Sequence, residues 1–127
     1  VLAAWAAMLL ARRCNRGPRG AGFHASSAAA VLLAGAALPA LLAGPHLAGM
    51  DPTTHVYPAI VWLLLGWTAA HVALGVLMQL YCMLRRLAGR LDGVHDIDIQ
   101  VVVLYWHFVA ATALVAVAVV AGFPLLA

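Results

Sequence analysis

The sequence predicts an all-α fold: a polytopic membrane helix bundle with three full transmembrane helices and an N-terminal partial helix. Three observations lead there. Of 127 residues, 66% are apolar and 9% charged, whereas a soluble domain carries about a quarter charged residues. Three apolar runs reach the roughly 20 residues that a membrane crossing needs. The basic residues are confined to two segments between those runs. Residues 1–127 therefore read as one membrane domain.

The first element is "VLAAWAAMLLARR", residues 1–13. It is apolar, closes on two arginines and is too short to cross. It reads as part of a helix. A signal peptide is the alternative, but the usual basic leading region is missing and the arginines follow the apolar run.

The second element is a span over 26–48, with Ser26 or Ser27 able to cap its start and Pro39 expected to kink it. "GPHLAGMDPTTHVYP" follows as loop. The third span covers 57–86, and at 1.5 Å per residue its roughly 45 Å length requires tilt or protrusion. "RLAGRLDGVHD" is the next loop, and the fourth element spans 98–126. Its Val/Ala richness suits a strand in water, but a run of this length without turn signals is a membrane helix.

Orientation follows from charge. Arg12, Arg13, Arg16 and Arg19 follow the first element, and Arg85, Arg86 and Arg90 follow the third. The loop between the second and third spans has no Lys or Arg. Basic loops stay in the cytoplasm, so 12–22 and 85–97 are expected there and the C-terminus in the periplasm of a bacterial inner membrane. The net charge of +3 thus reads as topology, not nucleic-acid affinity. Cys14 sits in a basic loop and Cys82 near a helix end, in no metal-binding spacing.

Close helix packing in lipid favours small residues. Candidate rows are Ala36, Ala40 and Gly44; Gly66 and Ala70, flanked by Ala69 and Ala73; and Ala111 with Ala118. Trp62, Tyr57, Tyr81 and Tyr105 lie toward span ends, where such rings anchor at the interface.

Within the spans the polar groups are Thr68, His71, Gln79, His107 and Thr112. An ionisable residue inside a membrane is a functional candidate by default. His71 and His107 on different helices can ligate one haem b, as in the membrane anchor of a respiratory dehydrogenase. Their depths differ by about 9 Å at 1.5 Å per residue. A proton path needs an acid within a span, and all four, Asp51, Asp92, Asp96 and Asp98, lie in loops or at a helix start. The third reading is structural, each neutral histidine finding a partner on a neighbouring helix or a headgroup.

Two blocks go beyond periodicity. "GWTAAHVALGVLMQLYCMLRR", 66–86, resembles the penultimate helix of haem–copper oxidase subunit III, which carries Gly-Phe-His-Gly-x-His-Val-x-x-Gly and ends in a basic residue. Gly66, His71, Val72, Gly75 and Arg85 match. The family's last helix opens with Tyr-Trp-His-Phe-Val, reproduced at 105–109, and a loop histidine precedes it, here His95. Departures are Thr68 for the first His, Ala69 for its Gly, Ala110 for an Asp, Ala113 for a Trp and Gln100 for a Glu; a further family glutamate has no counterpart. The resemblance covers about 58–123, the C-terminal part of a subunit III module, either the end of a fused subunit I–III chain or a shortened subunit.

That resemblance implies an accessory subunit without a catalytic centre. Haem and copper are expected in the partner catalytic subunit and none in this chain. The other partners implied are further oxidase subunits and phospholipid. His71, Gly75, Tyr105, Trp106 and His107 are expected to pack helices or touch lipid, and Arg85 and Arg86 to meet lipid phosphates, where Arg suits bidentate contact.

Overall fold

The computed structural model describes residues 1–15, 21–91 and 96–126. Arg16, Arg19, Asp92 and His95 lie outside the described residues. Four helices follow in order: α1 (Leu2–Asn15), α2 (Ala21–Leu47), α3 (Val56–Leu87) and α4 (Ile97–Leu126). The last three are long and apolar enough to cross a membrane. The chain is a helical membrane bundle whose first helix is short.

Each helix stops for a local reason. Arg12 and Arg13 occupy the last turn of α1, and Arg85 and Arg86 that of α3, where cations meet the negative end of the helix dipole. α2 and α3 end alike. Gly49 and Gly89 both adopt φ of 68°, and the next amides reach back, Met50 N to Pro45 O and Arg90 N to Arg85 O. This left-handed glycine cap satisfies carbonyls that the helix end leaves open. After α2, the Asp51 carboxylate accepts from the Thr53 amide and hydroxyl at 2.8 and 2.7 Å, which closes a tight turn before α3.

α2 corrects two expectations. It starts at Ala21, so Ser26 lies inside the helix, and its hydroxyl turns back to the Gly22 carbonyl. The helix also runs through Pro39 and Pro45 to Leu47, so the expected loop begins later. Cys14 likewise stands in α1 rather than in a loop.

α1 packs on α2 and α4, and α3 packs on α2 and α4, so the helices form a ring. The inward stripes recur every three or four residues: Ala4, Met8 and Ala11; Phe23, Ser27, Ala30 and Ala34; Val72, Gly75, Gln79 and Cys82; Ile99, Val102, Trp106 and Val109. That is the spacing of a helix seam. Large apolar side chains point outward, with Leu32 73%, Leu63 69% and Leu104 70% exposed. Large residues also stand inside, Trp106, Phe23, Met8 and Ile99 among them, but leucine on the outer face suits hydrocarbon, which has no reason to expel it.

The small-residue rows resolve unevenly. Ala36, Ala40 and Gly44 face outward, as do Ala111 and Ala118. Ala4, Ala11, Ala30, Ala34, Ala69, Ala110, Ala113 and Ala116 are the buried ones among the described residues. In an alanine-rich helix every face offers a four-residue repeat, so spacing alone does not choose the face.

Candidate functional site

The residues singled out in the two blocks meet along the α3–α4 seam and at its arginine end. Gly75 is buried. A Cβ there would stand 3.3 Å from Cε2 and Cζ2 of Trp106 and 3.4 Å from Cε1 of Tyr105. Glycine is what lets the fully buried indole come this close to α3. Tyr105 donates its hydroxyl to the His71 carbonyl at 3.2 Å. It stands two turns into α4 and bonds across the seam.

His71 lies in an aromatic cluster. Its ring centroid is 4.6 Å from that of Trp67, 5.4 Å from Phe108 and 6.4 Å from Tyr105, the last pair nearly parallel. Its Nδ1 is 2.9 Å from the Trp67 carbonyl. A carbonyl only accepts, so Nδ1 carries the proton and Nε2 the lone pair of the neutral ring.

His107 faces elsewhere. Trp5 of α1 donates its indole N–H to His107 Nδ1 at 2.8 Å, the two rings edge to face at 5.6 Å. An indole only donates, so here Nδ1 accepts and Nε2 holds the proton. The two histidines thus adopt opposite tautomers. Residues 105 and 107 differ by about 200° around a helix, so α4 turns Tyr105 toward α3 and His107 toward α1. The fold does not bring His71 and His107 together. Among the described residues no three His, Cys, Asp or Glu side chains are grouped to hold a metal ion.

The arginine end is tied within the chain. Arg85 pairs with Asp98 of α4, the two side chains 34% and 25% exposed, and its guanidinium lies 5.6 Å from the Tyr81 ring centroid. Arg86 donates to Asn15 of α1 and sits 5.1 Å over the Phe23 ring of α2. Each guanidinium has five N–H donors, so these ties leave others for a headgroup.

Deeper in the bundle, Gln79 donates to the Ser27 carbonyl at 3.2 Å and links α3 to α2. Gln79 Oε1, Ser27 Oγ and Trp106 Nε1 are buried without a hydrogen-bond partner. Thr68 and Thr112 bond carbonyls of their own helices instead. At the far end Tyr57 donates to the Val120 carbonyl and Trp62 to that of Met50.

Trp5, Asn15 and Ser27 were not foreseen from the sequence. Trp5 and Asn15 lie in or beside a segment whose partners are distant in the chain, with no spacing to reveal them. Asp98 carried a signal: an acid in the first turn of α4, one loop away from an arginine pair. No family model, no curated protein and no solved structure matches this chain.

Proposed function

We propose that this chain is a subunit III-like, non-catalytic accessory component of a respiratory haem–copper terminal oxidase. In this reading it packs on the catalytic subunit, which holds the haem and copper, and binds phospholipid. It supports proton uptake and stability during cytochrome c oxidation and dioxygen reduction. The setting is a bacterial inner membrane, with the arginine end of the bundle in the cytoplasm.

One observation carries the reading. Three residues that match the family blocks, Gly75, Tyr105 and Trp106, lie close together across α3 and α4. A signature that serves as a helix-to-helix seat is what an accessory subunit requires. His71 and His107 have tryptophan, tyrosine and carbonyl neighbours, which gives both a structural part. The lost acidic positions remove this chain's own carboxylates from any proton path through the spans.

The test is purification of the tagged chain from its native membranes in a mild detergent. The expected result is co-purification with a haem–copper subunit and its oxidase spectrum. A stable haem-free chain with no oxidase partner overturns the reading. So does a b-type pyridine haemochrome that disappears in His71→Ala and His107→Ala, which instead identifies a dehydrogenase anchor.

A further inference from the structure

Outside the seam, two adjoining cavities at the arginine end, lined by α3, α4 and residues between them, share Asp98 and form a groove. Its membrane-side part, about 430 Å³, is lined by Leu77, Met78, Tyr81, Val101 and Val102. Its outer part, about 470 Å³, is lined by Arg85, Arg90, Asp96, Asp98 and Gln100. Asp98 borders both parts. An apolar trough opening into a charged recess has the profile of one amphiphile, tails below and headgroup above.

The charges narrow the headgroup. Two arginines and two aspartates make the recess neutral overall, which suits a zwitterion better than an anion. Arg85 and Asp98 are already paired. Arg90 is exposed. Asp96 is only 5% exposed; its Oδ1 accepts from Gln100 and its Oδ2 has no hydrogen-bond partner. A buried bare carboxylate oxygen is costly and is relieved by an N–H donor. A primary ammonium has three such donors, whereas a quaternary one has none.

We infer that the α3–α4 groove is a binding site for a phospholipid with a primary-amine headgroup, its phosphate at Arg90, its ammonium between Asp96 and Asp98, and its acyl chains along Leu77 and Val101. The inference rests on the lipid-binding part of the function proposed above. It does not need the oxidase partner, because it is read on the full chain alone. A negative result here leaves oxidase co-purification standing, and a failed co-purification leaves this result standing.

The test exchanges the purified full chain with equimolar phosphatidylethanolamine, its N-methyl and N,N-dimethyl forms, phosphatidylcholine and phosphatidylglycerol of identical acyl chains. Retained lipid is counted by native mass spectrometry. Retention is expected to fall along the methylation series, by about tenfold from end to end, the scale of one charge-assisted hydrogen bond. Asp96→Asn is expected to bring the ethanolamine-to-choline ratio toward one with helicity unchanged, and Arg90→Gln to weaken retention of both. Equal retention across the series, preference for phosphatidylglycerol, or no retained lipid each overturn the site. The methylation series on the unaltered chain decides the matter should Asp96→Asn fail to fold.

Discussion

α1 and α2 meet in one way and α3 and α4 in another. The first pair closes through small side chains, Ala4 and Ala11 against a stripe of Ala30 and Ala34, with Met8 and Phe23 filling between. The second pair is keyed. One indole lies against one glycine, and cross-helix bonds recur from Tyr57–Val120 through His71–Tyr105 to Arg85–Asp98. Alanine faces tolerate sliding, since one alanine resembles the next. A tryptophan opposite a glycine fits at one register only. The contrast separates closeness from specificity, and the family-like residues lie on the specific side.

Reversible unfolding in mixed micelles offers ways to break that contrast. Trp106→Ala should cost the most, about 3–5 kcal/mol, as a buried aromatic truncated to a cavity. Ala34→Leu should cost about 1–3 kcal/mol by prying α1 from α2. Gly75→Ala falls in the same range of about 1–3 kcal/mol, toward its lower end, because the Trp106 edge must give by a few tenths of an ångström. Gly66→Ala is the matched control: a Cβ there meets nothing within 4 Å, so no packing loss is expected. Equal costs at Gly75 and Gly66 would dissolve the distinction between keyed and unkeyed glycines.

Two smaller effects sharpen the picture. Trp5→Phe keeps an aromatic ring, though a smaller one, and removes the indole N–H that bonds His107; hydrogen bonds between membrane helices average about 0.6 kcal/mol, and a loss of at least that order should appear in the same titration. The smallest effect concerns Asp51. Thr53 holds its carboxyl below the ordinary 3.8. Between the folded and unfolded values the unfolded chain binds more protons, so stability rises with pH there. The contribution is complete above about pH 4 and is lost on further acidification, a slope that Asp51→Asn should flatten.

The helices themselves were legible from the sequence. Apolar length and flanking arginines place seven of the eight helix bounds within two residues, the start of α2 being the exception. The first turns of α2 are Gly, Phe, His and Ser, polar enough to read as loop, yet Ser26 satisfies its hydroxyl on its own backbone. Which face of each helix turns inward was the least legible. Small residues lie on every side of α2, and the choice of Ala30 and Ala34 over Ala36 and Ala40 is made by the neighbouring helices α1 and α3 that pack on it. Of the site, Gly75, Tyr105 and Trp106 were found through their resemblance. The neighbour of His107 could not be, because nothing in the sequence relates position 5 to position 107.

Arg86 has a consequence for hydration. One side chain leaves α3, crosses the Phe23 ring of α2 and ends on Asn15 of α1, lying over the rim of the ring of helices like a stopper. One to three turns inward lie Gln79 Oε1, Ser27 Oγ and Trp106 Nε1, three polar atoms that no protein group satisfies. Water is drawn to such atoms. A bridge from α3 across α2 to α1 therefore lies toward the same end of the ring as Gln79 and Ser27, two of the groups most in need of water.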